Sequence, residues 1–120
     1  MVLVVDDEPA IRQMLEDILG GEGHQVVTVP DGRAALQRLH DGLLPCLILL
    51  DLMMPRLNGW QLAEHLRADP RLRPIPFVLI AANPRFAAQA EALGARKWLG
   101  KPINLEDLLQ TVEEFCGHAA

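Results

Sequence analysis

Val2-Leu3-Val4-Val5-Asp6-Asp7-Glu8-Pro9 sets four apolar residues ahead of three consecutive acids and a proline. An unbroken apolar run of this length, without the alternation of a half-solvated strand, reads as a strand of a parallel sheet covered on both faces. The pattern recurs in Cys46-Leu47-Ile48-Leu49-Leu50, which ends in Asp51, and in Trp98-Leu99-Gly100, which ends in Lys101. Open parallel α/β sheets bind ligands at the carboxyl ends of their strands. Asp6, Asp7, Asp51 and Lys101 are therefore expected in one crevice.

Outward from these runs, apolar and amphipathic segments alternate five times. Strands are expected over Val2–Val5, Gln25–Val29, Cys46–Leu50, Phe77–Ala81 and Lys97–Leu99, and helices over Ala10–Leu19, Arg33–His40, Gly59–Leu66, Phe86–Leu93 and Leu105–Phe115. Each parallel crossover needs a connecting helix, so the alternation predicts an α/β doubly wound sheet. Pro9 suits a first helical turn, and Ile11, Met14, Leu15, Ile18 and Leu19 share one face, with Gly20, Gly21 and Gly23 expected to stop the helix. Leu105, Leu108, Leu109, Val112 and Phe115 repeat that period behind Asn104 as N-cap, with Asp107 near the amino end. The stretch from Asp69 to Pro76 reads as a proline-rich loop, and residues 1–120 are expected to form a single domain.

The net charge is -5, from 11 basic and 16 acidic residues, and no basic stripe occurs, so direct nucleic-acid binding is not expected and a protein partner is. Cys46 reads as a core thiol at a strand start, and Cys116 has no metal-ligand spacing. His24, His40, His65 and His118 are scattered, without zinc spacing, and read as surface residues. No charged leader and no bilayer-length apolar run is seen, so the expectation is a soluble, unexported protein in a reducing cytoplasm, without membrane contact.

Carboxylates without neighbouring His or Cys select a hard cation, and two or three of them suit Mg²⁺, with Mn²⁺ able to substitute. Clustered like charges raise one another's pKa unless a cation sits among them, so metal affinity should fall in acid. Asp51 can act as a nucleophile toward a phosphoryl group if metal and lysine neutralise the developing charge. Lys101 is the candidate, since Lys97 falls at the opposite end of its strand. A plainer reading is also open: strand-end acids cap helices, and Asp7 before Glu8-Pro9 could do so.

Three segments carry a family resemblance. Val4-Val5-Asp6-Asp7-Glu8, Asp51-Leu52-Met53-Met54-Pro55-Arg56-Leu57-Asn58-Gly59 and Gly94-Ala95-Arg96-Lys97-Trp98-Leu99-Gly100-Lys101-Pro102 resemble the receiver domain of two-component response regulators, in order and spacing. The resemblance implies a flavodoxin-like (βα)5 fold with strand order 2-1-3-4-5. It implies Asp51 as phosphoacceptor, receiving a phosphoryl group from a sensor histidine kinase, a phosphotransfer protein or a small phosphodonor with Mg²⁺ present. Asp7 and Asp51 would ligate the metal directly, Asp6 through water, and Met53 through its backbone carbonyl. The Met53 side chain would hinder the water that hydrolyses the acyl-phosphate. Lys101 and the backbone N–H of Ala82 would face the phosphoryl group. Such a domain catalyses only its own phosphorylation and dephosphorylation, and signals to a downstream protein or fused output domain through the surface beside the fourth and fifth strands. The cognate kinase, output, self-association as a homodimer and phosphoryl lifetime are left open.

One position departs from the family. Phe77-Val78-Leu79-Ile80-Ala81-Ala82-Asn83 carries Ala81 where a switch Thr or Ser is usual. Without the hydroxyl, the coupling between phosphoryl group and Trp98 is expected to weaken, with Trp98 filling the vacated volume even without phosphate. Asn83 could supply the absent hydrogen bond, and the fourth crossover is shorter than usual. Ala81 also motivates a rival, a phosphorylation-independent interaction module of receiver shape. A phosphohydrolase would carry a second aspartate where Met53 stands, and a flavin carrier would replace the acidic loop after the first strand by small donor-rich residues; neither fits.

Overall fold

A computed structural model describes residues 1–52 and 58–117, apart from the side chain of Ala87. Its elements are β1 (Val2–Val5), α1 (Pro9–Gly21), β2 (Val26–Val29), α2 (Gly32–His40), β3 (Leu47–Asp51), α3 (Gly59–Ala68), β4 (Phe77–Ala81), a 3₁₀ turn (Pro84–Phe86), α4 (Ala87–Ala92), β5 (Lys97–Gly100) and α5 (Leu105–Cys116). The five strands are all parallel, in the order β2-β1-β3-β4-β5. This is the expected flavodoxin-like arrangement, with β1 and β3 side by side and their ends in register, Val5 opposite Leu50.

Two apolar layers sandwich the sheet. Leu3, Val5, Ile48, Leu50, Leu79 and Ala81 face α2, α3 and α4 through Leu39, Leu62, Leu66 and Ala90. On the other face, Val2, Val4, Leu47, Leu49, Val78 and Ile80 meet Leu15 and Leu19 of α1 and Leu108 and Val112 of α5. β1, β3 and β4 are buried at every position, which is why their sequences do not alternate.

Three local expectations need correction. Gly20 and Gly21 do not stop α1; they form its last turn, and the reversal falls at Gly23, whose φ of 90° favours glycine. The fourth crossover divides into the 3₁₀ turn and the six-residue α4 rather than one helix over Phe86–Leu93. Leu105 is 50 % exposed instead of facing the core, because it occupies the first turn of α5, before the packed stripe begins at Leu108.

Cys46 is not an isolated thiol: it is joined to Cys116 in a disulfide, across a sequence separation of 70 residues. Cys46 immediately precedes β3 and Cys116 ends α5, and both pack in the layer between that strand and that helix. His40 and His65 are exposed on α2 and α3, His24 is half-buried in the turn after α1, and His118 lies outside the described residues.

Candidate functional site

The end of β1 is tied down from two sides. The Asp6 N–H donates to the Val29 carbonyl at 3.2 Å, and Arg12 Nη1 of α1 donates to the Asp6 carbonyl at 2.7 Å. Asp6 Oδ1 accepts the Glu8 N–H at 2.9 Å, which turns the chain into α1 and leaves Glu8 as the N-cap without a side-chain cap bond. The capping role open to Asp7 is thus not the one adopted. Asp7 instead joins Asp6 and Glu8 in a group whose carboxylate oxygens, one from each, lie within 4.8 Å of one another.

Asp51 closes β3 opposite Ile80 and is buried. The backbone just beyond it is anchored at two points: Leu52 N–H donates to the Ile80 carbonyl at 3.3 Å, and Gly59 N–H to the Leu52 carbonyl at 3.2 Å. Asn58 then starts α3 with a reciprocal cap, accepting the Gln61 N–H at 3.0 Å while Gln61 Oε1 accepts the Asn58 N–H at 2.9 Å.

Lys101 joins these ends. Its N–H donates to the Ala81 carbonyl at 3.2 Å, and the peptide bond to Pro102 is cis. Its Nζ lies 3.2 Å from Asp6 Oδ2, 3.3 Å from Glu8 Oε1 and 3.4 Å from Asp51 Oδ2. Burial disfavours the ammonium, but the charges of Asp51 and Asp6, with hydrogen bonds to Asp6 and Glu8, outweigh it and raise the Lys101 pKa above 10.5. One cation thus spans acids from the carboxyl ends of β1 and β3, as the strand-end reading expects. Lys97 opens β5 opposite Val78, at the other end of the strand. Glu8 is also a direct partner of Lys101; its place beside Asp7 is all that the sequence offered as a signal.

The donor set fits a hard divalent cation. Three carboxylates crowd together, and no His or Cys joins their group among the described residues. Met53, expected to contribute a carbonyl, lies outside the described residues.

Ala81 ends β4, buried and opposite Gly100, with Ala82 and Asn83 exposed just beyond. Asn83 Oδ1 accepts the Arg85 N–H at 2.9 Å, so only its amide nitrogen remains to donate. Trp98, opposite Leu79, is half-buried against the layer containing Leu79 and Ala81. Its Nε1 is buried without a hydrogen-bond partner among the described residues. A second aromatic contact, Trp60 of α3 edge-on to Phe86 with centroids 5.7 Å apart, joins α3 to the 3₁₀ turn after β4.

Comparison with known proteins places this geometry. The chain is 32 % identical over 117 residues to a 14.6 kDa protein from the sodA1 3' region of Leptolyngbya boryana, covering 96 % of this chain and 88 % of that protein. It is 36 % identical over 113 residues to the DNA-binding response regulator MtrA of Mycolicibacterium smegmatis, covering 92 % of this chain but only 48 % of MtrA. A putative response regulator from Chloroflexus aurantiacus superposes with a TM-score of 0.88 at 27 % identity, over 95 % of this chain and 94 % of that one. The receiver domain of the sensor histidine kinase PA1611 from Pseudomonas aeruginosa, solved with a magnesium ion coordinated in its active-site cleft, superposes with a TM-score of 0.86 at 26 % identity, over 97 % of this chain and 96 % of that one. Residues 2–113 match the response regulator receiver domain, and the chain belongs to that family.

Proposed function

We propose that this domain is a phosphoryl-dependent switch in which Asp51 accepts a phosphoryl group from a phosphohistidine of a sensor kinase or phosphotransfer protein, or from a small phosphodonor. The observation that carries this reading is the Lys101 ammonium lying within 3.4 Å of both Asp6 and Asp51 at adjacent strand ends. An Asp51 oxygen bonds to phosphorus as the phosphorus–nitrogen bond of the donor breaks, and the leaving imidazole keeps the electron pair. Lys101 is held charged by its acidic neighbours and offsets the negative charge gathering on the phosphoryl oxygens. Asp6, Asp7 and Asp51 would hold Mg²⁺, or Mn²⁺, with the Met53 carbonyl; when bound, the ion neutralises phosphoryl charge. The Ala82 N–H supplies a further donor. Beyond its own phosphorylation and dephosphorylation the domain catalyses nothing, and its output passes to a downstream protein or fused domain. A cytoplasmic site of action accords with these partners, and no described helix is long and apolar enough to cross a membrane.

Ala81 supports a second reading, a receiver-shaped interaction module that signals without phosphate, because no hydroxyl stands at the end of β4 to draw the following loop inward. Intact-protein mass after incubation with Mg²⁺ and acetyl phosphate separates the two. Gain of one phosphoryl group in the parent and none in Asp51→Asn is the expected result. An unchanged parent mass, with Mg²⁺ binding demonstrated, would leave the interaction module as the better account.

A further inference from the structure

We infer that Cys46 and Cys116 form a reversible redox staple, a covalent modification site that locks the last turn of α5 to the start of β3, at the end of the sheet remote from Asp51. Cys46 precedes the first residue of β3 and Asp51 is the last, so the two chemistries are separated by a strand of five residues, roughly 16 Å at the usual rise.

Contacts besides the bond itself position both cysteines. Cys46 N–H donates to the Met1 carbonyl at 2.9 Å, which fixes the entry to β3. Leu108 and Val112 bury α5 against the same layer, and Cys116 follows one further turn along. The resulting Cα separation of 5.4 Å lies in the middle of the range a disulfide requires. The reduced state is equally well provided for. Cys46 Sγ lies 3.1 Å from the Met1 carbonyl oxygen, so the Cys46 thiol has an acceptor when the bond opens. Both cysteines are half-buried rather than sealed, within reach of a small thiol. They are the only two cysteines in the chain, so no competing partner exists within it.

Permanent structural disulfides are the rule in oxidising compartments, whereas cytosolic disulfides of mesophiles are usually transient and catalytic or redox-sensing. A domain that takes its signal from a kinase in a reducing cytoplasm fits the second class, and to that extent the inference rests on the function proposed above. Closure by glutathione disulfide balances without any further reagent. The thiolate of one cysteine attacks a glutathione sulfur and releases one glutathione thiolate. The second cysteine then attacks the mixed disulfide and releases the other, so the protein loses two electrons and two protons and glutathione disulfide gains the electrons.

The test equilibrates the purified full chain in glutathione buffers from fully reduced to fully oxidised, quenches with acid, unfolds, alkylates with N-ethylmaleimide and records intact mass. Two maleimides at the reducing end, none at the oxidising end, and return of both on re-reduction are expected. The thermal midpoint of the oxidised protein should exceed that of the reduced by roughly 10 °C, because the bond closes a long loop of the unfolded chain. Cys116→Ser should stay folded with a midpoint that ignores the glutathione ratio. Two maleimides at every ratio, a bond that the reducing buffers never open, or disulfide-linked dimers in place of the internal bond would each overturn the inference. None of these outcomes involves Asp51, so a failure here is distinguishable from a failure of phosphoryl uptake.

Discussion

Gly59 has no room for a side chain. A Cβ built there would lie 2.7 Å from the Asp51 carbonyl oxygen and 2.8 Å from the Leu52 Cα, both backbone atoms that cannot swing aside. Gly59→Ala must therefore displace the strand end that presents Asp51, and overpacking of this kind costs about 1–3 kcal/mol. Urea denaturation should show that loss, together with slower phosphoryl uptake from acetyl phosphate; an unchanged midpoint would mean that the contact relaxes freely. Lys101 makes a different kind of prediction, because its folded-state pKa is raised above 10.5. Its stabilisation is complete below 10.5 and disappears as the pH rises through the higher folded value, when the folded state must give up a proton it holds more tightly than the unfolded chain does. In metal-free protein, replacing Lys101 by Met should destabilise at neutral pH and flatten the alkaline fall in stability. Parallel alkaline profiles for parent and variant, followed by denaturant titration, would show that the three ion pairs contribute nothing.

Among the elements, the buried strands were the most legible in the sequence. β1, β3 and β4 are buried on both faces, and their apolar runs say so directly. Helix ends were read less well, because a glycine costs little in a last turn whose carbonyls already lack partners, and α1 runs through Gly20 and Gly21 for that reason. The fourth crossover was read as shorter than usual, but not its division, because the apolar period continues from Phe86 to Leu93 while the backbone passes from a 3₁₀ turn into only six helical residues. The pairing of β4 with β5 sets up the next prediction. Leu79 stands opposite Trp98 and Ala81 opposite Gly100, so the indole packs on a layer from which the usual hydroxyl is missing. With no hydroxyl to move, phosphorylation has little means of changing the surroundings of that ring. In a Trp60→Phe background, which leaves Trp98 as the only fluorophore of its kind, emission should shift little when Mg²⁺ and acetyl phosphate are added. A large shift would show that coupling survives by another route, with the Asn83 amide as the first residue to replace.

For the molecule as a whole, the site was legible because chain order and geometry coincide: strand order 2-1-3-4-5 puts β1 beside β3, so acids that end those strands must meet. The disulfide had no such signature, since a separation of 70 residues carries no spacing rule and only the packing of α5 over β3 brings the sulfurs together. The same convergence of acids predicts that a divalent cation raises the domain's global stability. Asp6, Asp7 and Glu8 repel one another within 4.8 Å, and the single ammonium of Lys101 offsets only part of that charge. A ligand that binds only the folded state stabilises it by about 2.7 kcal/mol at one hundred times its dissociation constant. Mg²⁺ should therefore raise the thermal midpoint by several degrees, Mn²⁺ should do likewise, and a chelator should reverse both. Because metal ligands bind in their deprotonated form, the increment should shrink in acid. Asp7→Asn removes one charge from the cluster without touching the three partners of Lys101, so it should abolish most of the Mg²⁺ increment while leaving the metal-free midpoint near or above that of the parent. If calorimetry found the same Mg²⁺ increment in parent and variant, the ion would be bound elsewhere and the acidic cluster would lose its assigned role.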